Sequence, residues 1–376
     1  MTVNILHLHD SFDLGGKQAR SVRLMNAFGQ AARHVVVSSV EGAYGARSAI
    51  AQGVAYEIAQ DPPPLSGKPS AARYEAIARY MRRFDLVLTY GWGAIDGVMA
   101  ARVFPRGTPP VVHHEDGFGA DEAVRLNRMR NLYRRMALSA AHGLVVPSPG
   151  LERIALNIWK QPAGRVHRIS TGIATATYAN RPDPRAIPGF ARGKEPVVGT
   201  IGALDSNRDL PLMIRAVGGI ARNVRLVIVG EGPERATIER QAAAMFMADR
   251  VHLPGQLPAP HRYIGLFDIF MLTSQSEQQP VVVMEAMAAG LPIVAPHVGE
   301  VPSMVAPENL PYLAPERHEL ALRDALAALI ADPESRARIG AANRARAAAM
   351  FDDRAMIDAY ARLYEGAMGL PAVLSV

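Results

Sequence analysis

Glu277 and Glu285 stand with seven residues between them in "SEQQPVVVMEAMAAGLPIVAPHVGE", residues 276–300, a stretch otherwise nearly free of charge. Carboxylates accept hydrogen bonds from hydroxyl groups and repel phosphate. A carboxylate pair can also flank a glycosidic bond as acid and nucleophile or base. Which chemistry applies depends on the backbone that carries them. Pro280 suits the first helical position, where its missing N–H is no loss. The run "VVVMEAMAA" continues to Gly290, a natural left-handed terminator, and Pro292 blocks resumption. A helix of about ten residues follows, with Glu277 in its leading loop and Glu285 about one and a half turns inside. They do not share one helical face, and the helix N-terminus between them favours an anion, which a hydrolase does not need.

Other residues of chemical interest lie at the ends of short β-rich runs. "DLGGKQAR" follows "VNILHLH", and its Gly15 and Gly16 let the backbone approach a ligand ahead of a helix. "VGEGPE" is a second such turn, and "GALDSNRD" sets Arg208 where a guanidinium can pair with phosphate. Neither turn has the G-x-G-x-x-G order, which counts against a dinucleotide-dependent oxidoreductase. "VVHHEDGF" brings four ligand-type residues, His113, His114, Glu115 and Asp116, but neighbours on a strand point to opposite faces, so no metal site is expected.

The elements that position these groups alternate. "VNILHLH", "HVVVSSV", "DLVLTY", "PPVVHHE" and "GLVVPS" are separated by helical stretches, and after the Pro/Gly/Arg-rich "RPDPRAIPGFARGKEP" the pattern restarts with "VVGTIGAL" and "VRLVIVGEG". Such alternation implies parallel sheets covered on both faces. With 376 residues, two domains are expected, over 1–180 and 195–350, joined near 180–195, with a closing helix near 352–370. Ligands of such folds bind beyond the carboxyl ends of strands, and a cleft between two such domains is the expected site.

Composition bounds the setting. There is no cysteine, no apolar run of about 20 residues, and no basic start with a long apolar core, so a cytoplasmic location is expected. The net charge of +6 is uneven: residues 1–180 hold 21 Lys+Arg against 13 Asp+Glu, leaving 20 against 22. That asymmetry suggests an anionic partner for the first half.

Taken in order, these motifs resemble the retaining glycosyltransferases of family 4, most strongly from "LVIVGEGPERATIERQ" through "DIFMLTSQSEQQPVVVMEAMAAGLPIVAPHVGEVPSMV". The resemblance implies a GT-B fold, in which two doubly wound Rossmann-like α/β domains face a central cleft, the first for the acceptor and the second for a nucleotide-sugar donor. It implies that Glu277 holds donor-sugar hydroxyls and Glu285 the ribose. The diphosphate would meet Gly16, Arg208, Gln279 and the helix start at Pro280 and Val281. Asp116 or His114 would lie at the reacting carbon with Glu277, and Lys17, Gln18 and His113 on the acceptor side. No cofactor, metal or nucleic acid is implied, because the nucleotide-sugar is a co-substrate and the acceptor is lipid-linked or a polysaccharide.

The sequence also departs from the family's pattern. Ala203 stands where relatives have an arginine, and Arg208 where they have a lysine; "EQQP", with Gln278 and Gln279, replaces "EGFG"; and Thr171 replaces an asparagine. Ala203 keeps a second reading in view, a sugar-nucleotide-binding partner with little catalysis, and Lys17 is the candidate to supply the missing charge. Lastly, in "DEAVRLNRMRNLYRRMALSAAH", Leu126, Met129, Leu132, Tyr133, Met136 and Ala140 fall on one helical stripe, flanked by Arg125, Arg128, Arg130, Arg134 and Arg135. The stripe is expected to pack on the sheet, with the arginines outward for peripheral attachment to an anionic membrane surface.

Overall fold

The computed structural model describes residues 2–13, 15–118, 122, 126–220, 223–277 and 279–374. Gln278 and Arg125, both singled out above, lie outside them. The chain divides into two compact units, one formed by Met1–Thr171 with Arg354–Val376 and the other by Gly172–Asp353.

The first unit is built on β1 (Val3–His9), β2 (Ala32–Ser38), β3 (Ala55–Ile58), β4 (Leu86–Tyr90), β5 (Val111–His114), β6 (Gly143–Val146) and β7 (Val166–Arg168). The second is built on β8 (Val197–Ile201), β9 (Arg225–Val229), β10 (Val251–Gly255), β11 (Ile269–Met271), β12 (Ile293–Pro296) and β13 (Leu313–Ala314). Their strand orders are β3-β2-β1-β4-β5-β6-β7 and β10-β9-β8-β11-β12-β13, all parallel. Both are doubly wound sheets whose order reverses once, beside β1/β4 and beside β8/β11, where this architecture places its ligand. The central strands are buried along most of their length because helices cover both faces, and those of the first unit bury His7, His9, His34, His113 and His114 among their apolar residues.

The boundary between the units falls at Thr171–Gly172, earlier than the expected 180–195. The segment read as a linker packs on the second unit instead. Ile173, Tyr178, Ile187 and Phe190 enter its core beside Val197 and Phe267, and Arg192 pairs with Asp268 at 2.7 Å. The closing helix, Asp353–Met368, puts Met356, Tyr360 and Tyr364 into the core of the first unit.

The helix Arg128–Leu138 reverses the expected orientation. Its N-cap is Asn127, whose side chain accepts from the Met129 and Arg130 amides. Met129 is 73% exposed, Leu132 50% and Met136 41%, whereas Arg134 is 1% exposed. Arg134 donates from Nε to Glu115 at 3.2 Å and from both terminal nitrogens to Glu122 at 3.1 and 3.0 Å. Its guanidinium lies 5.0 to 5.4 Å from the rings of Trp92, Phe118 and Trp159. Arg130, half-buried, joins Glu122 at 3.2 Å. Two buried carboxylates bind the arginine strongly enough to bring it inside, and Met129, Leu132 and Met136 turn outward while Tyr133 of the same stripe packs on the core.

Candidate functional site

In the second unit the loops after β8 and β11 are joined. Gln275 donates from its amide to Asn207 O at 2.7 Å and from Nε2 to Ser206 O at 2.9 Å, and Asn207 donates back to Ser276 O at 3.1 Å. Thr273 Oγ1 donates to Arg208 O at 2.8 Å. That lattice brings two of the expected residues together: Arg208 Nη1 lies 2.7 Å from Glu277 Oε1 and 3.4 Å from Ser274 Oγ. The close approach of the strand ends requires glycine, since a Cβ on Gly230 would fall 1.8 Å from Gly202 O. Beside them a cavity of about 240 Å³ is lined by Gly202, Ala203, Gly230, Glu231, Gln256 and Leu257.

The helix bearing Glu285 spans Val281–Ala288. Pro280 is its N-cap, not its first residue, because its ψ of 114° is extended. Gly290 has φ +79°, the left-handed conformation expected at this end. Val283, Met284, Ala286 and Met287 are buried, so the helix is fixed, and Glu285 accepts from the Tyr178 hydroxyl at 2.7 Å. Gln279 is half-buried in the loop ahead of Pro280. Tyr178, which orients Glu285, lies 107 residues away, and no local signal marks it.

In the first unit the parallel register sets His9, Tyr90 and His114 side by side at the ends of β1, β4 and β5. Their rings stack, at 4.1 Å for His9–Tyr90 and 4.5 Å for Tyr90–His114. His114 is buried in that layer. Its Nδ1 donates to Thr89 O at 3.1 Å, which leaves Nε2 to accept from the Tyr364 hydroxyl at 2.8 Å. Burial, reinforced by Arg20, pushes its pKa down to about 3, and the ring is neutral with both nitrogens engaged in the fold. His113 faces the other way; its Nδ1 meets Thr89 Oγ1 at 2.8 Å, and burial lowers it likewise to about 3.

The loops beyond these strands hold the groups nearest solvent. Asp116 is clamped by Arg20 through two bonds, 2.5 and 2.9 Å. Burial would raise the Asp116 pKa, but the Arg20 charge outweighs it and holds the carboxyl below its ordinary value. Asp116 is therefore an anion and a hydrogen-bond acceptor at neutral pH, and a poor proton acceptor. Lys17 pairs with Asp10, and Gly16 opens the helix Gly16–Phe28. Gln18 is buried and donates to Ser11 O at 2.7 Å, which staples the turn. Asp10 and Arg20, not anticipated from sequence, are thus the partners of the two residues that were. Among the described residues no three His, Asp or Glu side chains are grouped as metal ligands.

Two profiles divide the chain: "Glycosyltransferase Family 4" matches residues 14–177 and "Glycosyl transferases group 1" matches residues 186–346. Solved structures share the fold, which is GT-B. Anabaena HepE in complex with UDP superposes with a TM-score of 0.79 at 20% identity, over 96% of this chain and all of that one (100%). Sucrose-phosphate synthase from Thermosynechococcus elongatus gives 0.75 at 21%, over 97% and 99%. A D-inositol 3-phosphate glycosyltransferase of Xylanimonas cellulosilytica is 30% identical over 303 residues, 74% of this chain and 72% of that protein. The chain belongs to the family 4 glycosyltransferases. A GDP-mannose-dependent alpha-(1-6)-phosphatidylinositol monomannoside mannosyltransferase of Mycolicibacterium smegmatis is 29% identical over 200 residues. That match spans 49% of this chain and 52% of the relative, about half the length of each.

Proposed function

We propose that the protein is a retaining, metal-independent glycosyltransferase that moves a sugar from a nucleotide-sugar to a lipid-linked or glycan acceptor. The observation that carries this reading is the pairing of Arg208 with Glu277 where the loops after β8 and β11 meet, beside the reversal point of the second sheet, with Glu285 on the helix that follows. Arg208 and the first-turn N–H groups of Val281 and Val282 suit a diphosphate. Glu277 suits hydroxyls of the transferred sugar, and Glu285, oriented by Tyr178, those of the ribose. The 240 Å³ cavity beside Ala203 suits part of the nucleoside. In the reaction the bond from the anomeric carbon to the leaving phosphate breaks as the acceptor oxygen bonds on the same face. The hydroxyl proton passes to that phosphate, so the protein positions and stabilises charge. The clamped Asp116 suits an acceptor hydroxyl better than His114 does, because both nitrogens of His114 are engaged within the sheet.

A second reading is favoured by one observation. With Ala203 in place of an arginine and Arg208 already paired to Glu277, the donor site holds little uncompensated positive charge, which suits binding with weak transfer. Nucleotide release on mixing a nucleotide-sugar with an acceptor separates the two readings, after a thermal-shift screen has found the donor. Glu285→Ala should weaken donor affinity by about 1–3 kcal/mol, the usual cost of a lost buried hydrogen-bond partner. A folded variant that keeps parental affinity would refute the ribose assignment.

The reading places the protein at a membrane surface when the acceptor is lipid-linked. The relative from Mycolicibacterium smegmatis is named for a phosphatidylinositol monomannoside acceptor. No helix among the described residues is long and apolar enough to cross a membrane. The exposed Met129, Leu132 and Met136, flanked by exposed Arg128 and Arg135, form a face suited to an anionic bilayer. Sedimentation with anionic vesicles should exceed that with neutral ones at low salt and fall at high salt. Equal binding to both vesicle types, or none, would leave the acceptor soluble.

A further inference from the structure

A cavity of about 380 Å³ in the first unit opens beside the loop that follows β4. Its walls are Leu65, Pro69, Trp92, Ile95, Met129 and Tyr133, a mainly apolar and aromatic set within the size range of ligand pockets. Its charged and phenolic groups, Asp96, Arg130 and Tyr133, are already engaged by neighbours. Tyr133 donates to Asp96 and meets the Tyr74 hydroxyl at 2.7 Å, while Arg73 donates to Asp96 at 2.6 Å and to Leu65 O at 3.0 Å. Arg130 lies over the Trp92 ring at 5.2 Å and pairs with Glu122. A hydroxyl-rich sugar would find few unsatisfied partners on these walls, whereas a hydrocarbon chain loses nothing there and gains burial.

Two further observations say where such a chain comes from and where it leads. Met129 forms one lip of the cavity and also begins the exposed stripe that continues through Leu132 and Met136, flanked by Arg128 and Arg135. Met129 therefore joins the arginine-bordered outer face to the cavity. At the inner end Gly93 separates the cavity from the loop after β1, because a Cβ on Gly93 would fall 2.5 Å from the Asp10 Cβ. Asp10 holds Lys17, and Lys17 contributes to the low pKa of Asp116.

We propose that this cavity binds the hydrocarbon chain of an anionic, membrane-borne acceptor, whose anionic group stays by the outer arginines while its hydroxyl-bearing head reaches Asp10, Lys17 and Asp116. The proposal rests on the glycosyltransferase reading for the word acceptor, but chain binding can be measured without it. The probe is monomeric dodecyl phosphate brominated near its terminus, with butyl phosphate and inorganic phosphate as controls. Bromine quenches tryptophan on contact, and of the two tryptophans Trp159 is fully buried, whereas Trp92 lines the cavity. The dodecyl probe should quench at concentrations at least tenfold below any effect of the short-chain control. Met129→Asp, at an exposed lip, should raise the half-quenching concentration about tenfold, as should Ser66→Phe, at another exposed lining residue. Leu320→Asp, an exposed apolar site in the second unit, should leave it unchanged.

Equal response to dodecyl and butyl phosphate overturns the proposal, as does parental quenching in both folded cavity variants. A thermal-shift titration with nucleotide-sugars on the same preparation keeps the two readings apart. Donor stabilisation without chain binding removes only the cavity assignment. Chain binding without any donor response keeps the cavity and removes the glycosyltransferase reading.

Discussion

Arg134→Leu should lower the stability of the first unit by about 3–5 kcal/mol, the penalty for removing one partner of a buried ionic group and stranding the other. Arg134 is the cation of two carboxylates, Glu115 and Glu122, both 2% exposed. Burial already pushes Glu115 up to about 7 even with Arg134 beside it. Without the arginine Glu115 must either stay charged in a low-dielectric site or take up a proton to fold, and Glu122 is left with Arg130 and the Asn127 amide alone. The deficit should therefore shrink at pH 5, where protonation costs less, and Glu122→Gln in the same background should restore part of it. Fluorescence-detected urea unfolding suits the measurement, because both tryptophans, Trp92 and Trp159, lie against Arg134 and report this unit. A loss below about 1 kcal/mol, the range of exposed ion pairs, would show that the cluster is hydrated.

The same cluster explains where sequence reading ends. The nine central strands, and the edge strand Val251–Gly255 with them, are legible because each is a short, largely apolar run bounded by turn residues. Ala55–Ile58, Val166–Arg168 and Leu313–Ala314 escape notice because they are edge strands of only four, three and two residues, too short for their composition to mark them. The helix Arg128–Leu138 is legible as a helix but not in its rotation. Periodicity assigns methionine and leucine to the inside by hydropathy, and it has no means of weighing two glutamates brought together by the fold.

The candidate site divides similarly. The loop position of Glu277, the helical position of Glu285 and the strand-end placement of Arg208 follow from local turn and cap chemistry. What each of them touches does not. Arg20 and Asp116 are 96 residues apart, and Tyr178 and Glu285 are 107 apart, so their pairing is decided by sheet order and register. The sequence places His114 at the right strand end, but its side-chain direction depends on the closing helix, whose Tyr364 supplies the hydrogen bond that holds it inward.

A steep loss of stability on mild acidification is the second large effect expected. His7, His9, His34, His113 and His114 are all buried in the first unit. Burial lowers every one of them: His113 and His114 to about 3, His34 to about 4, and His7 and His9 well below 6.5. In the unfolded chain each imidazole takes its proton near 6.5, whereas in the folded protein it stays neutral until far lower. The unfolded state thus binds more protons across that window, and stability, complete above about pH 6.5, falls as pH drops toward the folded values. Well inside the window each histidine contributes a slope of about 1.4 kcal/mol per pH unit. Glu115 works in the opposite sense, since its raised pKa lets the folded state keep a proton, but it is one group against five. Between pH 6.5 and about 4.5, before ordinary carboxylates titrate, the histidines should dominate. Urea midpoints at pH 8, 7, 6 and 5 should be nearly level over the first two and then fall sharply. His9→Phe should flatten the slope by about one proton's worth. It replaces a stacked ring whose Nδ1 has no hydrogen-bond partner among the described residues. Midpoints that stay level down to pH 5 would mean that the histidine layer accepts protons in place, through water reaching the sheet.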